Sequence, residues 1–462
     1  MNVLLIQSYL GQNETEGAVL PLGLCFISSV LPEHNVQIFD PNISESPFPE
    51  LEEKLKDFNP QVAGISLRNI DTTQRRNISY YYESLEPTIR MIKKVNPATK
   101  IMVGGAGFSM FAAKIMDRIP EIDFGVYLEG DESVPELLSK LDKPEGVKGI
   151  FIRQNGKTIF TGTRPFPDID KLPVPRRDLI DIEKYNHPVY ANIGIQTKRG
   201  CSLKCAYCSY PFLNGDKIRI RPVKKIADEI EYLINEFKIK RFMFTDSVFN
   251  IPKGHAEEIC REIIKRRLRV EWSAWFDVKG FSEEILTLVL EAGCKNISFS
   301  PDAASNTSLA ALGKSINEQD ISRTIRLLKK AQGVRIEFNF FCTPPGQNFI
   351  GFLKTLALFL KVNLTFMGRG VANLGWIRIE PETGIYKLAV AEGIISQETE
   401  LLPETEAELS GLFYSCPATK WYADPVFDFI LGMQDKFKPT LKKLLGRNKG
   451  KQLSVVSDNY AG

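Results

Sequence analysis

The chain has 462 residues, 43% of them hydrophobic and 25% charged. That balance suits two or three globular domains and excludes a disordered chain, a collagen or a small disulfide scaffold. Its 59 basic and 56 acidic side chains leave a net charge of only +3, so no overall field draws it to nucleic acid.

The first strand is expected at residues 3–6, an apolar run without a basic flank, which reads as a buried strand rather than a secretion signal. Further apolar runs at 36–39, 62–66, 101–103 and 124–128 predict strands, and the segments between them, 20–31, 50–58, 83–95 and 108–119, predict helices. Strands apolar throughout and alternating with helices form a doubly wound, Rossmann-like α/β sheet buried on both faces. Residues 1–150 are assigned to that domain. Segments 149–153 and 157–162 flank Asn155-Gly156 as a hairpin. Pro165, Pro167, Pro173 and Pro175 follow, so 151–188 is read as an extended linker.

From residue 189 the alternation resumes. Strands are expected at 191–197, 241–245, 270–275, 296–300, 335–342 and 374–379, with helices after the first five, among them 223–237 and 319–331. Six such units predict a partial (β/α)6 TIM barrel over 189–390. Residues 391–462 read as a small helical C-terminal region. No run of ~18 uncharged apolar residues occurs. The best candidate, 350–367, is interrupted by Lys354 and Lys361 and reads as an amphipathic helix, so a cytoplasmic protein is expected.

The chemistry is concentrated in Lys198-Arg199-Gly200-Cys201-Ser202-Leu203-Lys204-Cys205-Ala206-Tyr207-Cys208, a C-x3-C-x2-C pattern. Three cysteines within eight residues point to metal ligation in a reducing compartment. Structural zinc wants four ligands, often in two knuckles. There is no second C-x2-C, and the only histidines are His34, His187 and His255. Iron–sulfur clusters take thiolates throughout, and three thiolates on a four-iron cluster leave one iron open, as catalytic metal sites keep a free position. The triplet also follows the first barrel strand, at the mouth where barrel active sites lie.

On these residues the chain resembles the radical S-adenosylmethionine (SAM) enzymes, whose cysteine loop carries an aromatic before its last cysteine, as Tyr207 does here. The resemblance implies a [4Fe–4S] cluster on Cys201, Cys205 and Cys208 whose open iron chelates SAM. It also implies an external electron donor such as a flavodoxin or ferredoxin, and cleavage of SAM to a 5′-deoxyadenosyl radical. It places SAM contacts at Tyr207, at Asp246 in Thr245-Asp246-Ser247, at Ser273 and at Asp302 in Ser300-Pro301-Asp302, where relatives often carry Glu. Cys342-Thr343-Pro344-Pro345-Gly346 and Glu380-Pro381-Glu382-Thr383-Gly384 end the fifth and sixth strands. The other cysteines stand singly and read as core residues.

Pro21-Leu22-Gly23-Leu24, Asp40, Gly104-Gly105-Ala106-Gly107 and Glu129-Gly130-Asp131-Glu132 put small residues at the edge of the first sheet, where a large flat ligand approaches the backbone. No G-x-G-x-x-G follows the first strand, which disfavours a dinucleotide. Through the linker segment 168–175 and on to about residue 390, the chain resembles the subfamily of radical SAM enzymes with a cobalamin-binding domain. That resemblance implies cobalamin contacts at Ser66, Gly104, Gly105 and Glu129. Asp-x-His-x-x-Gly is absent, so a cobalt without a histidine ligand is expected. The reaction implied is methylation of an unactivated carbon of a small or lipid-like substrate, with methylcobalamin as the methyl source. An sp3 carbon has no lone pair with which to attack a sulfonium. Cyclisation or ring rearrangement without methyl transfer, and a non-catalytic carrier of cobalamin or cluster, are the alternatives. Lys436, Lys438, Lys442, Lys443, Arg447, Lys449 and Lys451, with no acid among them, suggest peripheral contact between the C-terminal tail and an anionic membrane.

Overall fold

The computed structural model describes residues 1–11, 18–187 and 191–445, side chains beyond Lys436 excepted. The first sheet holds β1 (Asn2–Gln7), β2 (Asn35–Phe39), β3 (Val62–Ser66), β4 (Lys100–Gly104) and β5 (Phe124–Val126), all parallel, in the order β2-β1-β3-β4-β5. All five lie where the sequence predicts strands.

Successive side chains of a strand face opposite ways, and both faces here are covered. Leu4 and Ile6 pack with Leu51, Leu55, Ile89 and Ile115 from the helices Pro47–Phe58, Leu85–Val95 and Ala112–Arg118. Val3 and Leu5 pack with Leu24, Cys25, Val134 and Leu137 from Leu22–Ser29 and Ser133–Ser139 on the other face. The hairpin of β6 (Ile150–Gln154) and β7 (Lys157–Phe160) adds two antiparallel strands beyond β5. The order reverses at β1, which pairs with β2 on one side and β3 on the other. In open α/β sheets such a reversal opens a crevice at the carboxyl ends of the strands.

The second sheet is parallel and sequential. It runs from β8 (Gly194–Ile195), past a two-stranded ribbon of β9 (Lys198–Arg199) and β10 (Arg219–Ile220), through β11 (Arg241–Phe244), β12 (Glu271–Phe276), β13 (Cys294–Asp302), β14 (Arg335–Phe341) and β15 (Gly370–Gly375). With Val223–Phe237, Lys253–Lys265, Glu283–Glu291, Glu318–Leu328 and Phe349–Thr365 following the first five strands, this is the expected six-stranded partial barrel, open between β8 and β15.

The last strand corrects the sequence reading. It starts at Gly370 rather than 374, and Ile377–Arg378 (β16) pairs instead with Phe413–Tyr414 (β17). The segment around Ile377 and Ile379 is the more apolar of the two, but both residues are buried beneath the C-terminal region. The true sixth strand carries Asn373 and glycines because it lines a cavity. Helices Gly384–Ala391, Glu406–Ser410 and Lys420–Leu445 complete the described chain, and the basic tail beyond 445 lies outside the described residues. Among the described residues no helix is long and apolar enough to cross a membrane.

Candidate active site

The carboxyl edges of the two sheets enclose one cavity of about 1350 Å³. Ser66, Gly104, Gly105 and Glu129 line it from the first sheet, and Cys205, Tyr207, Cys208, Asp246 and Asp302 from the barrel. Residues more than a hundred positions apart therefore meet in one chamber.

The cysteine loop is held from several sides. Gly200 enters it at φ +86°, and a Cβ there would overlap the Lys217 carbonyl oxygen, so only glycine fits. The Cys201 amide donates to Gly215 O at 3.0 Å, the Ala206 amide to Leu312 O at 2.9 Å, and the Ile385 amide to Ala206 O at 2.7 Å. Cys201 is buried, while Cys205 and Cys208 open onto the cavity. Burial pushes the Cys208 thiol up to about 12, with the Cys205 and Cys201 charges adding to the rise, and burial raises Cys205 as well, with Asp302 and Cys201 adding. As free thiols they stay protonated at neutral pH, and their thiolates require a cationic partner. The Tyr210 amide directed at Cys208 and the Lys314 ammonium directed at Cys205 both favour thiolates. Such a donor set, with hydrogen bonds to sulfur, fits an iron–sulfur cluster. Among the described residues no three His, Cys, Asp or Glu side chains gather tightly enough for a single metal ion.

Beside the loop, the Tyr207 hydroxyl donates to Asp302 Oδ2 at 2.6 Å. Lys314 ion-pairs with Asp302 and donates to Ser300 O at 2.9 Å. Burial raises Asp302 and Lys314 opposes that rise. Burial lowers Lys314, but Asp302 and Cys205 outweigh it and hold it above the ordinary lysine range. Asp246 is fully engaged. It accepts from the Thr197 amide at 2.8 Å, the Thr197 hydroxyl at 2.5 Å, the Lys198 amide at 3.2 Å and Lys198 Nζ at 3.1 Å, which fixes the chain just ahead of the loop. Ser273 lies two residues deeper along β12 than Trp275, and it is Trp275 that lines the cavity.

On the opposite wall Ser66 and Gly104 pair in register at the ends of β3 and β4. Gly105 adopts φ +101°, where a Cβ would come within 2.6 Å of Leu67 O. A Cβ on Gly23 would meet nothing within 4 Å and would project into the cavity. This wall, bare of side chains at those points, suits a broad planar macrocycle. Glu129 accepts from Arg199 at 2.8 Å and Arg219 at 2.5 Å, and Arg199 also binds Asp131 at 2.6 Å. Its carboxylate therefore joins the two domains. None of the three histidines lines the cavity.

Residues 195–359 match the family model of the radical SAM superfamily, and residues 12–138 that of the B12 binding domain. The chain is a radical SAM protein with an N-terminal B12-binding domain. These domains take a [4Fe–4S] cluster with SAM, and cobalamin, respectively. An uncharacterised methyltransferase of Pyrococcus horikoshii is 29% identical over 315 residues, 67% of this chain and 66% of that protein. The anaerobic magnesium-protoporphyrin IX monomethyl ester cyclase of Rubrivivax gelatinosus is 30% identical over 267 residues, 55% of this chain and 48% of that protein. The chain thus spans two thirds or less of these curated relatives. The solved radical SAM methyltransferase TsrM of Kitasatospora setae, with cobalamin and a [4Fe–4S] cluster bound, shares the fold at a TM-score of 0.76 and 19% identity, covering 91% of this chain and 89% of that one.

Some cavity residues of this radical SAM protein escaped the sequence reading as site residues. Lys314 sits between helices with no motif around it, and its role is set by a contact 107 positions back in the chain, to Tyr207 at 3.2 Å. Arg199 stood inside the cysteine segment but gave no sign of its cross-domain partners. Glu380 reads in the sequence only as part of a strand-end turn, yet it lines the cavity. Burial lifts its carboxyl to about 7, with Asp71 adding to the rise and Arg378 and Ser209 opposing it.

Proposed function

We propose that this radical SAM protein is a cobalamin-dependent methyltransferase acting on an unactivated carbon of a small or lipid-like substrate. The observation that carries the proposal is the single chamber, in which the cysteine loop of the barrel faces the bare glycine wall of the B12-binding domain. When bound, the cluster and SAM supply a carbon-centred radical that takes a substrate hydrogen, and cobalamin supplies the methyl group.

The protein's own part is placement. Cys201, Cys205 and Cys208 hold the cluster, and Ser66, Gly104 and Gly105 form the floor for the corrin, with Glu129 keeping that floor docked on the barrel. Tyr207 and Asp302, locked together by Lys314, are proposed to form the SAM side of the chamber with the segments around Asp246 and Ser273. Enclosure by two domains excludes bulk water from reactive species. Glu380, poised near neutrality, can hold or release a proton at its carboxylate oxygen. An external one-electron donor such as a flavodoxin or ferredoxin is part of this reading.

The kinship to a cyclase at 30% identity favours a second reading, ring closure without methyl transfer. Product analysis of the anaerobically reconstituted protein decides between them. Methyl transfer yields S-adenosylhomocysteine and 5′-deoxyadenosine together, whereas 5′-deoxyadenosine alone supports cyclisation. Neither product would mean a carrier and would overturn the proposal.

A further inference from the structure

Helix Phe349–Thr365 buries Phe352, Phe359 and Val362 against the barrel. Its other side is apolar too. Phe349, Ile350, Leu353, Leu360, Leu364 and, just beyond, Met367 are all exposed, Leu364 at 66% and Met367 at 74%. Positions 349, 353, 360, 364 and 367 recur at helical spacing and make one stripe. Between 349 and 367 the only charged residues are Lys354 and Lys361, with no acid.

A second stripe lies beside the first. On helix Lys420–Leu445, Trp421, Val426, Phe429 and Met433 are exposed, Trp421 at 75% and Phe429 at 69%. The two stripes meet. The Tyr422 ring contacts Trp421 at 4.7 Å and Phe349 at 5.9 Å. The helix's carboxylates Asp424, Asp428 and Asp435 are ion-paired with Arg75 and Arg76 of the B12-binding domain. Soluble monomers seldom leave a contiguous apolar face of this kind uncovered.

We propose that this face docks on an anionic lipid bilayer. The charge pattern selects that occupant. Lys354 is already paired with Glu318, so the face offers Lys361 and aromatic rings, and the sequence from Lys436 to Lys451 carries seven basic residues and no acid. Exposed apolar side chains inserted among lipids, with a basic segment on the headgroups, are the two signals that together hold a peripheral protein at a membrane. The cavity reaches the same surface, since Met367, Leu431 and Gln434 belong to its lining. Docking therefore brings its rim to the bilayer, where a lipid-like substrate would enter. The docking itself does not depend on which reaction the cavity performs.

The test is co-sedimentation of the full, cluster-loaded chain with vesicles. Binding is expected to vesicles rich in phosphatidylglycerol and to weaken by about tenfold or more on phosphatidylcholine alone or in high salt. The pair Leu364→Glu and Phe429→Glu should lower the bound fraction comparably while iron content and circular dichroism stay unchanged. Lys442→Gln with Lys443→Gln should weaken binding only on the anionic vesicles. The proposal is overturned if the protein fails to bind anionic vesicles, or if both glutamate substitutions leave binding intact. It is also overturned if sedimentation velocity shows a dimer that the same substitutions dissociate, which would make the face an interface between copies.

Discussion

Individual side chains around the chamber carry distinct and separable consequences. Cys205→Ala should remove cluster iron and abolish SAM cleavage while cobalamin uptake persists, because the glycine wall belongs to another domain. Iron assay and the cobalamin absorbance of the same sample check both halves. Lys314 and Asp302 form a buried pair, with side chains 10% and 5% exposed. Removing one member strands the other, at a cost of roughly 3–5 kcal/mol. Lys314→Met should therefore lower the thermal midpoint of the cluster-free protein clearly, and adding Asp302→Asn, which keeps the acceptor for Tyr207 and tolerates the φ of +68° there, should recover part of the loss. A double variant no more stable than the single one would contradict the pairing.

Glu380 carries a pH signature. Its carboxyl titrates near 7 when folded and near 4.5 when unfolded, so between those values the folded state binds more protons and stability falls as pH rises. Glu380→Gln removes that penalty. The variant should gain about 3 kcal/mol relative to the parent at pH 8 and almost nothing at pH 4.5, as read from urea midpoints across the range. A gain independent of pH would contradict the assignment.

At the scale of elements, legibility followed burial. The five parallel strands of the first sheet announced themselves because both of their faces are apolar, as Val3 to Ile6 illustrate. The cysteine loop was legible for a different reason: ligand spacing is local in sequence. The sixth barrel strand was misplaced because a strand that lines a cavity carries polar and small residues such as Asn373, while the greasier neighbour at Ile377 and Ile379 serves a different interface. The contacts of Asp246 and Glu129 were equally hidden. Both were read as ligand contacts, and in the structure both carboxylates are already engaged by the protein. Arg199 joins these elements, since it sits on β9 and reaches Glu129 and Asp131 across the domain boundary. Arg199→Met should loosen that boundary. Faster trypsin cleavage in the linker around Arg164 and Lys171, without loss of secondary structure, is the expected outcome, and unchanged cleavage would show that the clamp does not hold the domains together.

For the whole molecule, the order of domains and the two cofactor classes could be read from motif and pattern, whereas the convergence of two sheet edges on one cavity could not. That convergence depends on long-range packing, such as Arg219 of the barrel donating to Glu129 of the first domain at 3.0 Å across 90 residues. It is also what would let a cluster and a cobalamin act on one substrate, as the proposed function requires. Substrate identity belongs to this scale as well, because the cavity draws its walls from both domains and from the C-terminal helix, none of which has a substrate-specific sequence pattern.

The central claim is that two groups are held at once in one chamber. Anaerobic reconstitution of the full chain, followed by iron, sulfide and cobalamin quantification on the same sample, tests it most directly. The account predicts four iron and four sulfide together with one cobalamin per chain, and loss of the iron alone in the Cys201, Cys205 and Cys208 variants. Iron retained without those thiols, or cobalamin and cluster excluding one another, would contradict it.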